Sequence, residues 1–492
     1  MTPRTQATPG PTPEATPTPT PAPPVDIPLA VVTGYTNPMA SITEAEVEAA
    51  IQADTIMQAC EFFGAANPMS RCLLGADIPG HIEANPTELG LLPAGLVVPT
   101  IKVLPVDGAD LFGGPEARSL PYPFSAQMLE NSDMETWPLD TESVRTVMSL
   151  GDSCPDRGVA HAAITLGRGW EWVFGGGTAE YTAVYPNPVP PGFVGNGFNI
   201  VDAVPTGNEG AVAALVSGGD VTLDDFECPV VDDWTVNEGV VFSIDPAVLP
   251  QLRDTYGVDV ATLAANHLFD RGTPGFLQTL DKFAAAGIST AGAGVDLDAA
   301  LEPALVDADG LTFAFVAFNE IPGSLEAGPD QPGVLWLRDA NVIEAVGRAQ
   351  DAGADLVICV PQWWGGGEYH AQFLGDMRRQ QQVFFDAGCD HVLGHGTHWS
   401  GPIEVTPTDD GDHRVTMVSH GNFLFGQEWS QQTQEGVILE LAFVGTRLAQ
   451  ARMHPYIMLE QAQTNLTDAA TDGMWVLNRI YEASGLPIVP GP

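Results

Sequence analysis

The chain has 492 residues, 44% hydrophobic and 16% charged, with a formal net charge of -45 and only two lysines, Lys102 and Lys282. That length exceeds one ordinary core and suits a main domain with something appended. So acidic a surface excludes nucleic acid and anionic lipid headgroups as partners, and it fits a solvation shell whose self-repulsion added salt screens.

Residues 1–24 are rich in Thr and Pro, cannot bury enough apolar surface to fold, and read as a disordered stalk. No apolar leader precedes them and no run of about 18 apolar residues occurs, so the sequence holds no membrane span. A stalk of this kind holds a domain off a cell surface. The expectation is an extracellular, surface-tethered protein whose signal or anchor lay ahead of an added Met1; the alternative is a cytosolic protein with a disordered tail. Six cysteines are few for this length, so disulfides would be accessories. Cys60 and Cys72 can close a short loop, Cys359 and Cys389 lie on neighbouring predicted strands, and Cys154 and Cys228 follow two acidic candidates. Spacing leaves the pairing open.

Residues 25–140 form a small α/β unit. It opens with the apolar run PLAVVTGYTNP, and Ser41 to Glu44 then cap a helix reaching about Ala53. With ELGLLP and IKVLPVDG further on, this order resembles part of a phosphate-type solute-binding lobe; a structural cap without ligand is the alternative. Residues 141–450 make the main domain. Its first strand, Val144 to Asp152, stops on an acid, and Arg157 follows. Residues 158–218 read as a Gly- and aromatic-rich covering loop region, with aromatics that usually serve packing. Next come a strand Asp220–Phe226, a helix Pro246–Tyr256 and a strand Val258–Leu263. Further along are a strand Leu311–Phe318, a helix Ala340–Asp351, a strand Ala354–Val360, a helix Gln372–Ala387 and a strand from His391 to Gly394. Strand and helix alternating at this spacing predict a sheet covered on its faces. Strands Arg414–His420 and Gly436–Val444 follow, and residues 451–492 read as a helical extension, with a helix from about Asn465 to Ser484.

Several apolar runs end on chemistry: Asp152, Glu227, Asn266-His267, and the GHGTH stretch that carries His395 and His398. Strand ends of α/β sheets are where ligands sit. Taken singly, each motif is more often a turn or a helix cap; together they predict one convergent site. Seven of the ten histidines fall between 267 and 420. Imidazoles beside carboxylates suit zinc, manganese or iron. Two ions about 3.5–4 Å apart would acidify a bridging water and clamp a phosphoryl group, with His267 protonating the leaving oxygen.

The stretches DFECPV, GVVFSIDPAVLPQL, LAANHLFDRGTPGFLQTLDKFAAAGISTAGAG, FFDAGCDHVLGHGTHWSGPIEV and SHGNFLFGQ, with Asp152 and Arg157, closely resemble the capsule-synthesis CapA (PgsA-like poly-γ-glutamate) proteins over about residues 144–447. That family is similar to calcineurin-like metallophosphoesterases, which implies a β-sandwich flanked by helices with a dinuclear site. The likeness implies Asp152, Glu227, Asn266, His395 and His398 as metal ligands, with His267 as the catalytic histidine and Arg157 as a second catalytic residue. It also shows departures. Gln362 stands where the family has a histidine, Asp225 where it has asparagine, and His420 where it has leucine. Gln362, His370 and His420 are the candidate substitutes, and the ions number two or, with that imidazole missing, one.

Two readings follow. The first is a metal-dependent hydrolase or transferase acting on phosphoester or cell-envelope polymer bonds, linked to capsule or poly-γ-glutamate synthesis or export. The second is a non-catalytic binding or scaffolding protein for export of an anionic polymer on a retained fold. The partner is a capsule or envelope polymer or a phosphorylated substrate.

Overall fold

The computed structural model describes residues 24–63, 71–129, 137–186 and 199–490; the Thr/Pro-rich stretch read as a stalk lies outside them, apart from Pro24. Two large sheets dominate the main domain. A ten-stranded sheet holds Val144–Cys154 centrally, beside Val221–Phe226 on one side and Glu435–Val444 on the other. A six-stranded sheet contains Leu311–Asn319, Leu356–Gln362 and His391–Leu393 as parallel neighbours.

The sheets face each other through Val147, Leu223, Val260 and Leu439 from the first and Phe313, Phe315, Ile358 and Met417 from the second, all buried. Their outer faces are also covered. Phe276 and Phe283 of the helix Gly272–Ala286 cover the large sheet. Val342 and Val346 of Asp339–Asp351 and Phe384 of Met377–Ala387 cover the second. In Leu311–Asn319, Phe313, Phe315 and Ala317 point to one side and Ala314, Val316 and Phe318 to the other, and both sets are buried. A strand covered on both faces reads as a continuous apolar run. The architecture is therefore the expected α/β sandwich flanked by helices.

The chain around residue 450 departs from the expectation. Arg447–Leu459 is a strand pairing along nearly the whole of Glu435–Val444, and Gln463–Leu466 adds another; only Met474–Ala483 is helical. The strand was hidden because it is covered on both sides and its polar residues are answered at a distance. Gln450 accepts from the Val103 amide at 2.8 Å, and Arg452 pairs with Asp110 at 2.7 Å and Glu440 at 3.3 Å. These contacts, with Val144, Ala442 and Ala449, seat the N-terminal sheet on the large one.

The described residues of the 158–218 segment are likewise structured. Its strands Thr178–Pro186 and Asn199–Gly207 extend the large sheet through a pairing of Thr178 with Leu466. The predicted helix 246–256 is shorter, a turn at Val248–Pro250 continued by a wide helical turn at Gln251–Thr255. The helix cap at Thr43 is a full capping box with Glu46. Three disulfides pair all six cysteines: Cys60 with Cys72, Cys154 with Cys228, and Cys359 with Cys389.

Candidate metal centre

Val144–Cys154, Val221–Phe226 and Val260–Thr262 run parallel, as do Leu356–Gln362 and His391–Leu393, so their carboxyl ends converge. Gly151 permits a close approach: a Cβ there would lie 2.1 Å from the Gly421 carbonyl oxygen, which accepts from the Asp152 amide at 2.9 Å. The GHGTH turn is as tight. Gly396 has φ +88° and packs on Gln362, and His398 itself has φ +60°.

Asp152 is fully buried at the middle of the site. One carboxylate oxygen lies 3.1 Å from Nδ1 of His395, the other 3.2 Å from Nδ1 of His398. Two ligand-like groups share it. Asp152, Glu227 and His398 form one, and Asp152, Asp225 and His395 the other, each with its nitrogen and oxygen atoms within 4.8 Å of one another. Asp225 was missed at the sequence level. It lies two residues before Glu227 in an extended segment, and that spacing places both on one face.

The electrostatics follow from burial and crowding. Burial opposes ionisation of Asp152, but His395 and His398 win and hold it well below the usual carboxylate range. Burial, together with the Asp152 charge, pushes Asp225 up to about 6 against the pull of His395. Glu227 is driven well up by burial, then by Asp152 and Asp225. Against the opposing effect of burial, the neighbouring acids raise His395 and His398. Five carboxyl and imidazole groups packed this way, three acids and two imidazoles, share too little positive charge. Glu227 Oε1, Asp225 Oδ2 and His395 Nε2 are buried without a hydrogen-bond partner. Buried polar atoms are nearly always satisfied, and these nitrogen and oxygen donors fit a borderline divalent cation. Deprotonation of the acids on binding would settle the crowding.

Asn266 is brought to the same corner but is engaged by protein. Gln362 donates from Nε2 to Asn266 Oδ1 and accepts from the Asn266 amide, both at 3.2 Å. Of the other candidate substitutes, His420 stacks on His395 with ring centroids 4.8 Å apart and bonds the Gly394 carbonyl at 3.2 Å; His370 meets the Trp364 carbonyl at 3.4 Å. His370 and His420 lie outside the two groups, whereas Gln362 stands at the corner beside Asn266. His267 sits at the rim, its side chain 23% exposed, with Nδ1 3.0 Å from Asp270 and its ring edge-on to Phe242. Arg157 lies over Phe242, its guanidinium carbon 4.6 Å from the ring centroid.

Over 181 residues the chain is 31% identical to the PGA biosynthesis protein CapA of Bacillus subtilis, covering 36% of this chain and 46% of that one. It is 32% identical over 199 residues to a probable polyglutamine synthesis accessory protein of Mycobacterium tuberculosis, covering 38% and 52%. The chain spans about half the length of these relatives. Similar solved structures include the calcineurin-like phosphoesterase YfkN of Bacillus subtilis, with 12% identity, TM-score 0.32, and coverage of 69% of this chain and 98% of that one. A 5'-nucleotidase precursor of Thermus thermophilus has 13% identity, TM-score 0.35, and coverage of 69% and 58%. Residues 146–427, more than half of the chain, match the family model for the bacterial capsule synthesis protein PGA_cap. The chain belongs to that family.

Proposed function

We propose that this protein is a metal-dependent hydrolase or transferase, acting on phosphoester or cell-envelope polymer bonds in capsule or poly-γ-glutamate synthesis or export. The observation that carries the reading is the pair of buried acid–imidazole groups sharing Asp152, with orphaned acceptors between them. Asp152, Glu227 and His398 would hold one divalent ion, and Asp152, Asp225 and His395 a second; manganese, zinc and iron suit the donors. Such ions supply Lewis acidity toward the oxygens of a phosphoryl or acyl group.

The rest is done by the chain. Nδ1 of His267 bonds Asp270, whose carboxylate also accepts from the Phe242 amide at 2.8 Å. That fixes the ring and leaves Nε2 to deliver a proton to a leaving oxygen at the rim. Three disulfides agree with an oxidising, extracellular setting. Among the described residues no helix is long and apolar enough to cross a membrane, and attachment through the N-terminal stalk is part of the reading.

The second reading, a non-catalytic scaffold for an anionic polymer, is favoured by Gln362. Its amide occupies the Asn266 oxygen, a candidate ligand that is then taken up within the protein. Turnover decides between them. His267→Ala should abolish hydrolysis of a phosphodiester by the manganese-loaded protein while leaving metal content and melting temperature unchanged. A loaded wild-type protein that cleaves neither phosphoesters nor envelope polymer would leave the scaffold reading standing.

A further inference from the structure

Arg157 carries a positive charge beside the centre, and among the described residues its terminal nitrogens meet no carboxylate. The residue has φ +46°, a conformation uncommon outside glycine and asparagine. Asp156, fully buried, holds it there: its carboxylate accepts from the amides of Arg157 at 2.8 Å, Asn237 at 3.1 Å and Ser243 at 2.9 Å. Nε of Arg157 donates to the Gly239 carbonyl at 2.8 Å. The guanidinium lies 4.6 Å from the Phe242 ring centroid and 5.9 Å from that of Phe425. Those two rings pack edge-on against His267 and His398. The cation is therefore built into the wall that positions the rim histidine and one candidate ligand, and the charges of Glu227 and Glu368 reach it.

Most other arginines among the described residues are paired with acids, although Arg414 lies over the Phe385 ring and Arg447 donates to the Val97 carbonyl. Arg118, Arg348, Arg378 and Arg452 all end on carboxylates. The terminal nitrogens of Arg157 make no hydrogen bond or ion pair among the described residues, and the adjacent acid, Asp156, is taken up by backbone amides. In a chain with 63 acidic and 18 basic residues, this half-buried guanidinium stands in the wall of the centre with its terminal nitrogens free to take an acceptor from outside the protein. Its fixed fork of donors matches an oxyanion in two-point geometry.

Resting on the metal-dependent reading above, we propose that Arg157 receives an anionic group of the substrate, a carboxylate or a phosphate, and so selects substrates that carry negative charge next to the reacting bond. The surrounding surface repels anions at long range, so the preference is exercised at contact. A neutral analogue loses its partner for the fork, whereas its contacts to the metal corner are unchanged.

The test is calorimetric titration of inorganic phosphate and, separately, of glutarate into the full chain, both manganese-loaded and stripped by chelator, with Arg157→Gln and Arg157→Lys alongside. Wild-type protein should bind an anion in both states. Arg157→Gln should weaken binding about ten- to a hundredfold at unchanged metal content and melting temperature. Lysine, lacking the fork, should restore only part. Tighter phosphate marks a phosphoester as the source of the charge, and tighter glutarate a carboxylate polymer. Equal affinity of wild type and Arg157→Gln for both anions overturns the assignment, as does a wild-type chain that binds neither. A protein that takes up no manganese yet loses anion binding on Arg157→Gln would sink the metal-dependent reading and leave this assignment intact.

Discussion

Among the described residues, two buried clusters of acids and bases differ in what is left over. At the junction with the N-terminal sheet, Arg452 pairs with Asp110 and Glu440, and His454 meets Glu440 at 2.7 Å. No side-chain atom of those four residues is buried without a partner. Burial opposes ionisation of Glu440, but Arg452 and then His454 pull its pKa down to about 2. At the strand ends around Asp152 the same ingredients leave acceptors on Glu227 and Asp225 and a nitrogen on His395 unanswered. Buried charge by itself marks neither function nor stability; the residue of unmet valence separates a joint from a site.

That contrast can be broken most severely at Asp152. Asp152→Asn removes the shared carboxylate from both groups, and elemental analysis should find metal content falling to zero, with any turnover gone. Retention of either ion would show that the two groups are not the binding positions. At the junction the expectation is reversed. Arg452→Ala strands Asp110 and Glu440 in the interior and should cost about 3–5 kcal/mol by chemical denaturation, with metal content untouched.

Acid should act on the junction through Glu440. Its folded pKa of about 2 lies below the ordinary 4.5, so the stability it contributes is fully present above about 4.5 and is lost as pH falls toward 2. The loss is on the order of 3 kcal/mol, and Glu440→Gln should flatten that part of the denaturation-versus-pH curve. The smallest change sharpens the site alone. Asp225→Asn should release one equivalent of metal, and Gln362→His, by freeing Asn266 and adding an imidazole, should tighten the weaker ion. If Asp225→Asn still binds as much metal as wild type, Asp225 is no ligand.

Much of the sandwich was legible because its strands are covered on both faces and end on chemistry. Leu311–Asn319 and Leu356–Gln362 read as apolar runs, the GHGTH motif follows directly on His391–Leu393, and Asn266-His267 stands a few residues beyond Val260–Thr262. Asp225 was not legible. In DDFE an acid within an apolar strand looks like a solvent-facing residue, and only parallel pairing with Val144–Cys154 brings it opposite Asp152. Arg447–Leu459 was obscured for a related reason: Gln450, Arg452 and His454 look like exposed positions until their partners at Val103, Asp110 and Glu440 arrive from elsewhere in the chain. Pattern reports what a segment hides from water. It is blind to polar partners brought together over hundreds of residues.

The bond between Cys154 and Cys228 closes a loop of sequence separation 74, and both cysteines are buried. Asp152 lies just outside that loop, and Asp225 and Glu227 just inside its far end. A protease that cuts the chain once between residues 155 and 224 therefore leaves a single covalent molecule, with Asp152 still tied through sulfur to the segment carrying Asp225 and Glu227. A nicked protein would run as two fragments only after reduction.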